Sequence, residues 1–262
     1  MHTLTCCGRR LSPNPASPSL LVVLSLSSRG TLGKNTVPSA VVVGMKIEIW
    51  SDIVCPWCYI GKRRLESALA EFRHREETEV VWRSFELEPS APHSSENDGP
   101  YVLQLAGRYG IPVEQAQSMM DNVTAIAASE GLDFRFDLAR RGNTFDAHRL
   151  LHLALEKGLQ DRLKERFDRG TFTEGLPVSD HEALTKAAAQ VGLDEVEVKE
   201  VLTSDRYAEA VRSDEAQARA YGISAVPFFV VDGKYGIAGA QPADVLLEVL
   251  TRAWQERPPQ AG

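Results

Sequence analysis

Two cysteines three positions apart, Cys55 and Cys58, are the residues of this 262-residue chain whose type and spacing promise chemistry. They stand in Cys55-Pro56-Trp57-Cys58, between an apolar run that closes on Ser51-Asp52-Ile53-Val54 and a segment with a helical period. A thiolate at a helix start is stabilised by free N–H groups and by the positive end of the helix dipole. Lowering a thiol pKa from about 8.5 to about 6 raises the ionised fraction at pH 7 from roughly 3% to roughly 90%. Cys58, one turn further in, is spaced to attack a mixed disulfide formed on Cys55. Half of a zinc site is the competing reading, and it needs two more ligands at metal spacing. No second Cys-x-x-Cys exists and the six histidines are scattered, so neither a metal nor another cofactor is expected. An inert buried pair of cysteines is the remaining alternative.

Val226-Pro227 is the second feature. A proline at the entrance to a late strand removes a ladder donor. Were that loop to face the cysteine pair, a cis bond there would aim the Val226 backbone at an extended substrate peptide.

The elements that must hold these residues follow from hydrophobic period. Residues 46–51 read as a buried strand, residues 56–75 as a helix with Ile60, Leu65, Leu69 and Phe72 on one face, and residues 79–85 as a second strand. Pro56 suits a first helical turn. A polar loop over 88–100 leads into more than 100 helical residues. Within them, 113–130 and 144–157 repeat apolar positions and end at Gly131 and Gly158. Ser179-Asp180-His181-Glu182 reads as a capping box opening a helix that stops at Gly192, and two more helices fill 194–221. Residues 225–231 and 234–238 form strands about an Asp232-Gly233 hairpin turn. Residues 242–254 make a last amphipathic helix. The order β-α-β, helices, β-β-α predicts an α/β, thioredoxin-like fold with an inserted all-helical domain. Residues 45–88 and 222–256 form the thioredoxin-like domain, and residues 89–221 the insertion.

Composition bounds the rest. The chain is 43% hydrophobic and 25% charged, with a formal net charge of -7, an ordinary globular balance. The acidic charge argues against nucleic acid as a partner. No apolar run is long enough to span a membrane. Residues 1–44 carry four basic side chains (Arg9, Arg10, Arg29, Lys34) and no acidic one. This Ser- and Pro-rich extension reads as a secretory signal, an organelle transit peptide, or an upstream extension of a frame that starts at Met45. The last is favoured because Met45 directly precedes the first strand. It makes the expected compartment cytoplasmic, with an organelle or export as the alternative. In all three readings the extension lies outside the core, and Cys6 and Cys7 are not catalytic.

Three blocks carry a family resemblance. Residues 51–62, Ser-Asp-Ile-Val-Cys-Pro-Trp-Cys-Tyr-Ile-Gly-Lys, resemble the active-site segment of DsbA-family thiol-disulfide oxidoreductases, in particular the FrnE-like branch. Asn143-Thr144-Phe145-Asp146-Ala147-His148-Arg149 resembles that branch's helical-domain motif. Ala225-Val226-Pro227-Phe228-Phe229 and Gly239-Ala240-Gln241 resemble its cis-proline and final-strand segments. The resemblance spans about 45–254. It implies a catalytic pair, with Cys55 the nucleophile, Cys58 the resolving cysteine and Pro227 the cis-proline. Periplasmic members carry His inside the cysteine pair, and Trp57 here brings no charge. The related 2-hydroxychromene-2-carboxylate isomerases and class kappa glutathione transferases carry Ser at the first cysteine position, so the retained pair favours redox work.

Val226, Pro227, Trp57 and His148 are the expected substrate-binding residues, with Tyr59 beside Trp57 on an apolar rim. His148 also fits a satisfied core histidine. Asn143 reads as a helix cap, Asp52 as a helix-entry or solvated group before a proton-transfer group, and 162–169 as a solvated charged face. The activity expected is a dithiol-disulfide oxidoreductase acting on protein or small-molecule disulfides and thiols, glutathione among them. A glutathione-dependent isomerase or transferase of the same fold and a non-catalytic peptide-binding module are the alternatives.

Overall fold

The computed structural model describes residues 24–25, 44–92 and 99–257. Cys6 and Cys7 lie outside them. The sheet is built around the strand that precedes the cysteines. Strands β1 (Leu24–Ser25), β2 (Met45–Ser51), β3 (Thr78–Ser84), β4 (Phe228–Val231) and β5 (Tyr235–Ala238) are ordered β1-β5-β4-β2-β3. β2 runs parallel to β3, with Ile49 opposite Trp82, and antiparallel to β4, with Ile49 also opposite Phe229. A strand flanked on both sides and covered on both faces is mostly apolar, and β2 is buried along almost its whole length, its Glu48 carboxylate accepting from Arg83 at 2.9 Å. The β4–β5 hairpin turns at Asp232 and Gly233, with φ of 48° and 64°. Two successive positive φ values suit a turn that matches strand twist, and the Asp232 carboxylate accepts from the Lys46 N–H at 2.8 Å.

Helices α1 (Pro56–Glu71) and α9 (Ala243–Gln255) cover one face. Ile47, Ile49, Leu65, Phe72, Phe229 and Leu250 meet there. Between β3 and β4 the chain forms α2 (Tyr101–Tyr109), α3 (Val113–Ser129), α4 (Phe145–Glu156), α5 (Gln160–Arg169), a π-helical turn (Gly170–Glu174), α6 (His181–Gln190), α7 (Glu195–Leu202) and α8 (Ala208–Ala220). These helices own a separate core around Leu150, Leu163, Phe167, Leu184 and Val201. Ile53, two residues before Cys55, is buried in that helical core rather than under the sheet. The peptide carrying the cysteines is thereby clamped between the two bodies of side chains. The order of elements is the thioredoxin-like arrangement with inserted helices expected from the sequence.

Local departures have local causes. α1 stops at Glu71 because Phe72 turns extended, and residues 75–77 form a separate 3-10 turn. The cap of α6 is Asp180, whose Oδ1 accepts from the Ala183 N–H at 2.7 Å. The capping box expected from Ser179 therefore sits one residue late, and the Ser179 hydroxyl is buried without a partner. Residues 162–169 are a solvated face only in part, with Arg162 and Arg169 exposed. Lys164 and Asp168, one turn apart, are paired with no solvent exposure, and the Lys164 ammonium lies 5.1 Å from the Trp82 ring centroid. The extension also touches the sheet, since Leu24 and Ser25 pair with Gly236 and Tyr235 on β5. That edge is on the far side of the sheet from β3.

Candidate functional site

Cys55 is the N-cap of α1, with an extended backbone (φ -99°, ψ 108°) and Pro56 following in the first turn. A helix leaves its first N–H groups unpaired by other helical carbonyls. One of them, that of Cys58, donates to the Cys55 carbonyl at 3.0 Å. Both cysteines are unbridged thiols, Cys55 5% exposed and Cys58 fully buried. The Cys55 thiol donates to the Val226 carbonyl at 3.6 Å. The Val226-Pro227 bond is cis, and the Pro227 carbonyl accepts from the Gly239 N–H at 2.9 Å. The late loop thus lies across the start of α1.

Gly61 lets the loop come that close. A Cβ at Gly61 would stand 3.1 Å from Pro227 Cγ and 3.4 Å from Phe229 Cζ. Arg64, one turn on, donates to the Ala240 carbonyl and pairs with Glu130, the residue just after α3, both at 2.6 Å. The first two turns of α1 therefore tie the proline loop, the end of β5 and the inserted helices together.

Trp57 is 36% exposed and is the large apolar side chain on the outside of the motif. Tyr59 does not join it on a rim. Its ring is buried on Phe134 and Phe172, and its hydroxyl donates to Glu165 at 2.8 Å. Burial and the Glu165 carboxylate both push that hydroxyl well above its ordinary range.

His148 was expected to line the substrate groove, and the structure corrects this. It is 1% exposed, on the inner face of α4, with Nε2 3.3 Å from Asp52 Oδ1. Its apolar neighbours Ala147, Leu150 and Leu151 carry that face of α4 into the core and the imidazole with them. Asp52 is fully buried, neither solvated nor a cap of α1. Its Oδ1 accepts from its neighbour Ile53 N–H and its Oδ2 from the Leu87 N–H, both at 2.7 Å. Burial pushes this carboxyl up. The His148 partner, the Leu87 N–H and the Thr144 hydroxyl outweigh it and hold the pKa below the ordinary value. The N-cap of α4 is Thr144, one residue after the Asn143 expected there; Asn143 Oδ1 accepts from the Phe145 N–H at 2.9 Å.

The Cys55 thiol departs from the expected acidity. Hydrogen bonding to Cys58, burial and the neighbouring sulfur's charge drive it well above the ordinary thiol value, and the Asp52 carboxylate adds to this; the Cys58 backbone N–H works the other way. A helix N-terminus stabilises a thiolate when the sulfur is open to it. Here two thiols share one hydrogen-bonding space and little solvent reaches either. Thr144 completes the surroundings of Asp52, to which its hydroxyl donates, and was not singled out in the sequence. Among the described residues no group of three or more His, Cys, Asp or Glu side chains is arranged to hold a metal ion.

Comparison with known proteins supports the same assignment. Residues 46–251 match the family model described as a DSBA-like thioredoxin domain. A probable DsbA oxidoreductase from Streptomyces coelicolor is 49% identical, with a TM-score of 0.78 over 83% of this chain and 93% of that one. The uncharacterized protein YwbO of Bacillus subtilis is 29% identical over 213 residues, covering 78% of this chain and 95% of its own. The cytosolic disulfide reductase DsbM from Pseudomonas aeruginosa, in its structure with GSH, shares the fold at 17% identity and a TM-score of 0.55, over 79% of this chain and 99% of that one.

Proposed function

Because the chain belongs to the DSBA-like thioredoxin domain family, we propose that it is a thiol-disulfide oxidoreductase working through Cys55 and Cys58. The observation that carries this reading is the Cys55 thiol at the start of α1 facing the Val226 carbonyl. In exchange, the Cys55 thiolate attacks a substrate disulfide, and one substrate sulfur leaves as a thiolate that takes a proton. Cys58, having lost its own proton, attacks Cys55 Sγ of the mixed disulfide. The second substrate sulfur leaves with the electron pair, and the enzyme sulfurs end bonded. An extended substrate lies along Val226, whose carbonyl is free to receive a substrate N–H once Cys55 has given up its proton. Trp57 is the apolar contact beside it. Residues 45–88 and 222–256 carry the exchange chemistry, and residues 89–221 shape access to it.

A cleft of about 730 Å³ lined by Tyr101, Phe136, Arg140 and Arg141 opens on the helical side. Tyr101 is close enough to feel charge on Cys55. The arginines favour a substrate with carboxylates, either an acidic peptide or a thiol such as glutathione. The DsbM comparison is compatible with glutathione as a partner and with the cytoplasm as the compartment. Among the described residues no helix is long and apolar enough to cross a membrane.

A thiolate that is not stabilised leaves the reduced form unstabilised, which makes a reductant rather than a strong oxidant. The pair should therefore equilibrate with glutathione nearer about -270 mV than about -120 mV. Insulin reduction by the purified protein tests the activity. No reduction by folded protein with both thiols reduced would overturn the reading.

A further inference from the structure

The unpaired N–H and C=O groups of an edge strand are a template for pairing with another chain. The two sides of the sheet formed by β2–β5 meet this hazard by different means. β3 is one side. Gln160, buried at the start of α5, acts there as a piece of strand. Its Oε1 accepts from the Trp82 N–H and its Nε2 donates to the Trp82 carbonyl, both at 2.9 Å. Asp214, buried on α8, serves the next outward group: its Oδ2 accepts from the Ser84 N–H at 2.9 Å. Side chains fixed in the core thus occupy the outward groups of β3 at Trp82 and Ser84.

β5 is the other side. Tyr235 stands opposite Val231 and Ile237 opposite Phe229, and the Gly239 N–H donates to the Pro227 carbonyl at 2.9 Å. In an antiparallel strand the N–H and C=O of one residue point the same way, and successive residues alternate. Tyr235, Ile237 and Gly239 therefore turn their peptide groups to β4, while Gly236 and Ala238 turn theirs outward. Gln241 Nε2 donates to the Ala238 carbonyl at 2.8 Å. Both groups of Gly236 and the Ala238 N–H face an incoming strand, and the residue opposite Gly236 is Leu24.

The identity of the occupant follows from sequence and reach. Residues 20–26 read Leu-Leu-Val-Val-Leu-Ser-Leu, with no charge and no proline, a composition that suits a strand. Ser25 lies opposite Tyr235, Tyr235 opposite Val231 and Val231 opposite Ile47. Three strand spacings, about 15 Å, thus separate β1 from β2. Residues 26–43, which connect them, reach further than that when extended. A tether of this kind holds its segment at an effective concentration on the order of millimolar. A second copy offers the same short edge without the tether, and so loses the competition while the segment is in place.

We propose that the outer edge of β5 is a strand-docking site whose occupant is this chain's own segment at Leu24–Ser25, and that the docked segment keeps the edge from pairing with a second copy. Docking asks of the segment only an extended backbone with an N–H and a C=O opposite Gly236. The Leu24 side chain is not what is recognised. The site lies at the opposite side of the sheet from β3, and it acts whether or not the cysteines exchange disulfides.

The test combines amide hydrogen exchange with sedimentation velocity on the full chain, as wild type, Leu24→Pro, and Leu24→Pro with Ala238→Pro. Proline at 24 removes the N–H opposite Gly236. The Gly236 amide should be protected in the wild type and exchange at least about tenfold faster in Leu24→Pro, since an uncovered edge amide needs no opening to exchange. The Ile237 amide, turned to β4, should keep its rate. The wild type should hold one sedimentation coefficient as concentration rises, and Leu24→Pro should add a larger species. Ala238→Pro removes an outward N–H at a position where an edge strand tolerates proline, and should abolish that species. An unprotected Gly236 amide in the wild type overturns the proposal without recourse to any variant, as does equal Gly236 exchange in wild type and Leu24→Pro. Wild-type protection that disappears on dilution would make a second copy the occupant and defeat the assignment. A Leu24→Pro protein that sediments as the wild type does at every concentration would defeat the covering role.

Discussion

The Cys55 thiol donates a hydrogen bond to the carbonyl of Val226, a residue 171 positions later in the chain. One hydrogen bond thus joins the start of α1 to the loop before β4. On the proposed reading, a substrate N–H and the resting thiol compete for the same carbonyl oxygen, and deprotonation of Cys55 frees it.

The exposure difference between the two sulfurs predicts which one captures substrate. Cys58 has no solvent-accessible surface and Cys55 has a little. Cys58→Ser should accumulate a mixed disulfide on Cys55 when given an aromatic disulfide. Cys55→Ser should react with it at least about tenfold more slowly, as a buried thiol does. Intact-mass measurement after peptide mapping reads the site. A stable adduct on Cys58 in the Cys55→Ser protein at the wild-type rate would reverse the roles.

Gly61 predicts a steric effect on the loop. A methyl there meets Pro227 Cγ at 3.1 Å and Ala240 Cβ at 3.5 Å. Overpacking of this kind costs about 1–3 kcal/mol. Gly61→Ala should lower the melting temperature and slow insulin reduction together, while Gly107→Ala, with open space around its Cβ, should leave reduction unchanged. Equal rates for the two variants would show that the loop yields without consequence.

Asp52 gives a pH signature. Its folded pKa lies below the ordinary carboxylate value. The ionised form therefore adds stability at neutral pH, and that share is lost as the pH falls below about 4, through the folded value. Asn offers one acceptor where Ile53 and Leu87 need two, and one stranded backbone donor costs about 1–3 kcal/mol. Urea unfolding of Asp52→Asn should show that deficit at pH 7 and a smaller one at pH 3.5. A deficit that grows on acidification would contradict the assignment. Removing the carboxylate charge should also make Cys55 more acidic, since Asp52 is among the groups that raise it.

The Lys164–Asp168 pair predicts the cost of a buried ion pair. Both side chains are wholly buried, and burial has pushed Asp168 up to about 6 despite its partner. A raised carboxyl favours the folded state most below the ordinary value near 3.9. That contribution is lost as the pH rises through about 6. Lys164→Met strands the carboxylate and should cost about 3–5 kcal/mol at pH 8. The gap from wild type should narrow at pH 5, where Asp168 takes up a proton. Denaturant melts at the two pH values measure it, and a gap independent of pH would mean the pair is not what Lys164 contributes.

The places of Cys55, Cys58 and Pro227 in the fold could be read from the chain alone because their signals are local. Two thiols one helical turn apart bring their own geometry, Pro56 marks the helix start, and a proline before an apolar strand marks a loop. The same holds for the order of elements, since period and turn residues are properties of neighbouring positions. What the chain could not show is how buried each polar group is. Tyr59, His148, Lys164 and Asp168 all stand at positions that read equally well as surface or rim, and all four are buried. Helical spacing places a side chain on a face, but which face meets another helix depends on packing partners up to a hundred residues away. Asp52 is the clearest case. Its side chain meets His148 only because the peptide after β2 and the helix α4 are packed together, and it is among the groups that raise the Cys55 thiol. The isolated motif predicts a stabilised thiolate from helix geometry. The folded protein surrounds the same motif with a second sulfur, a carboxylate and little water, and the energy of a charge depends on everything within reach of its field.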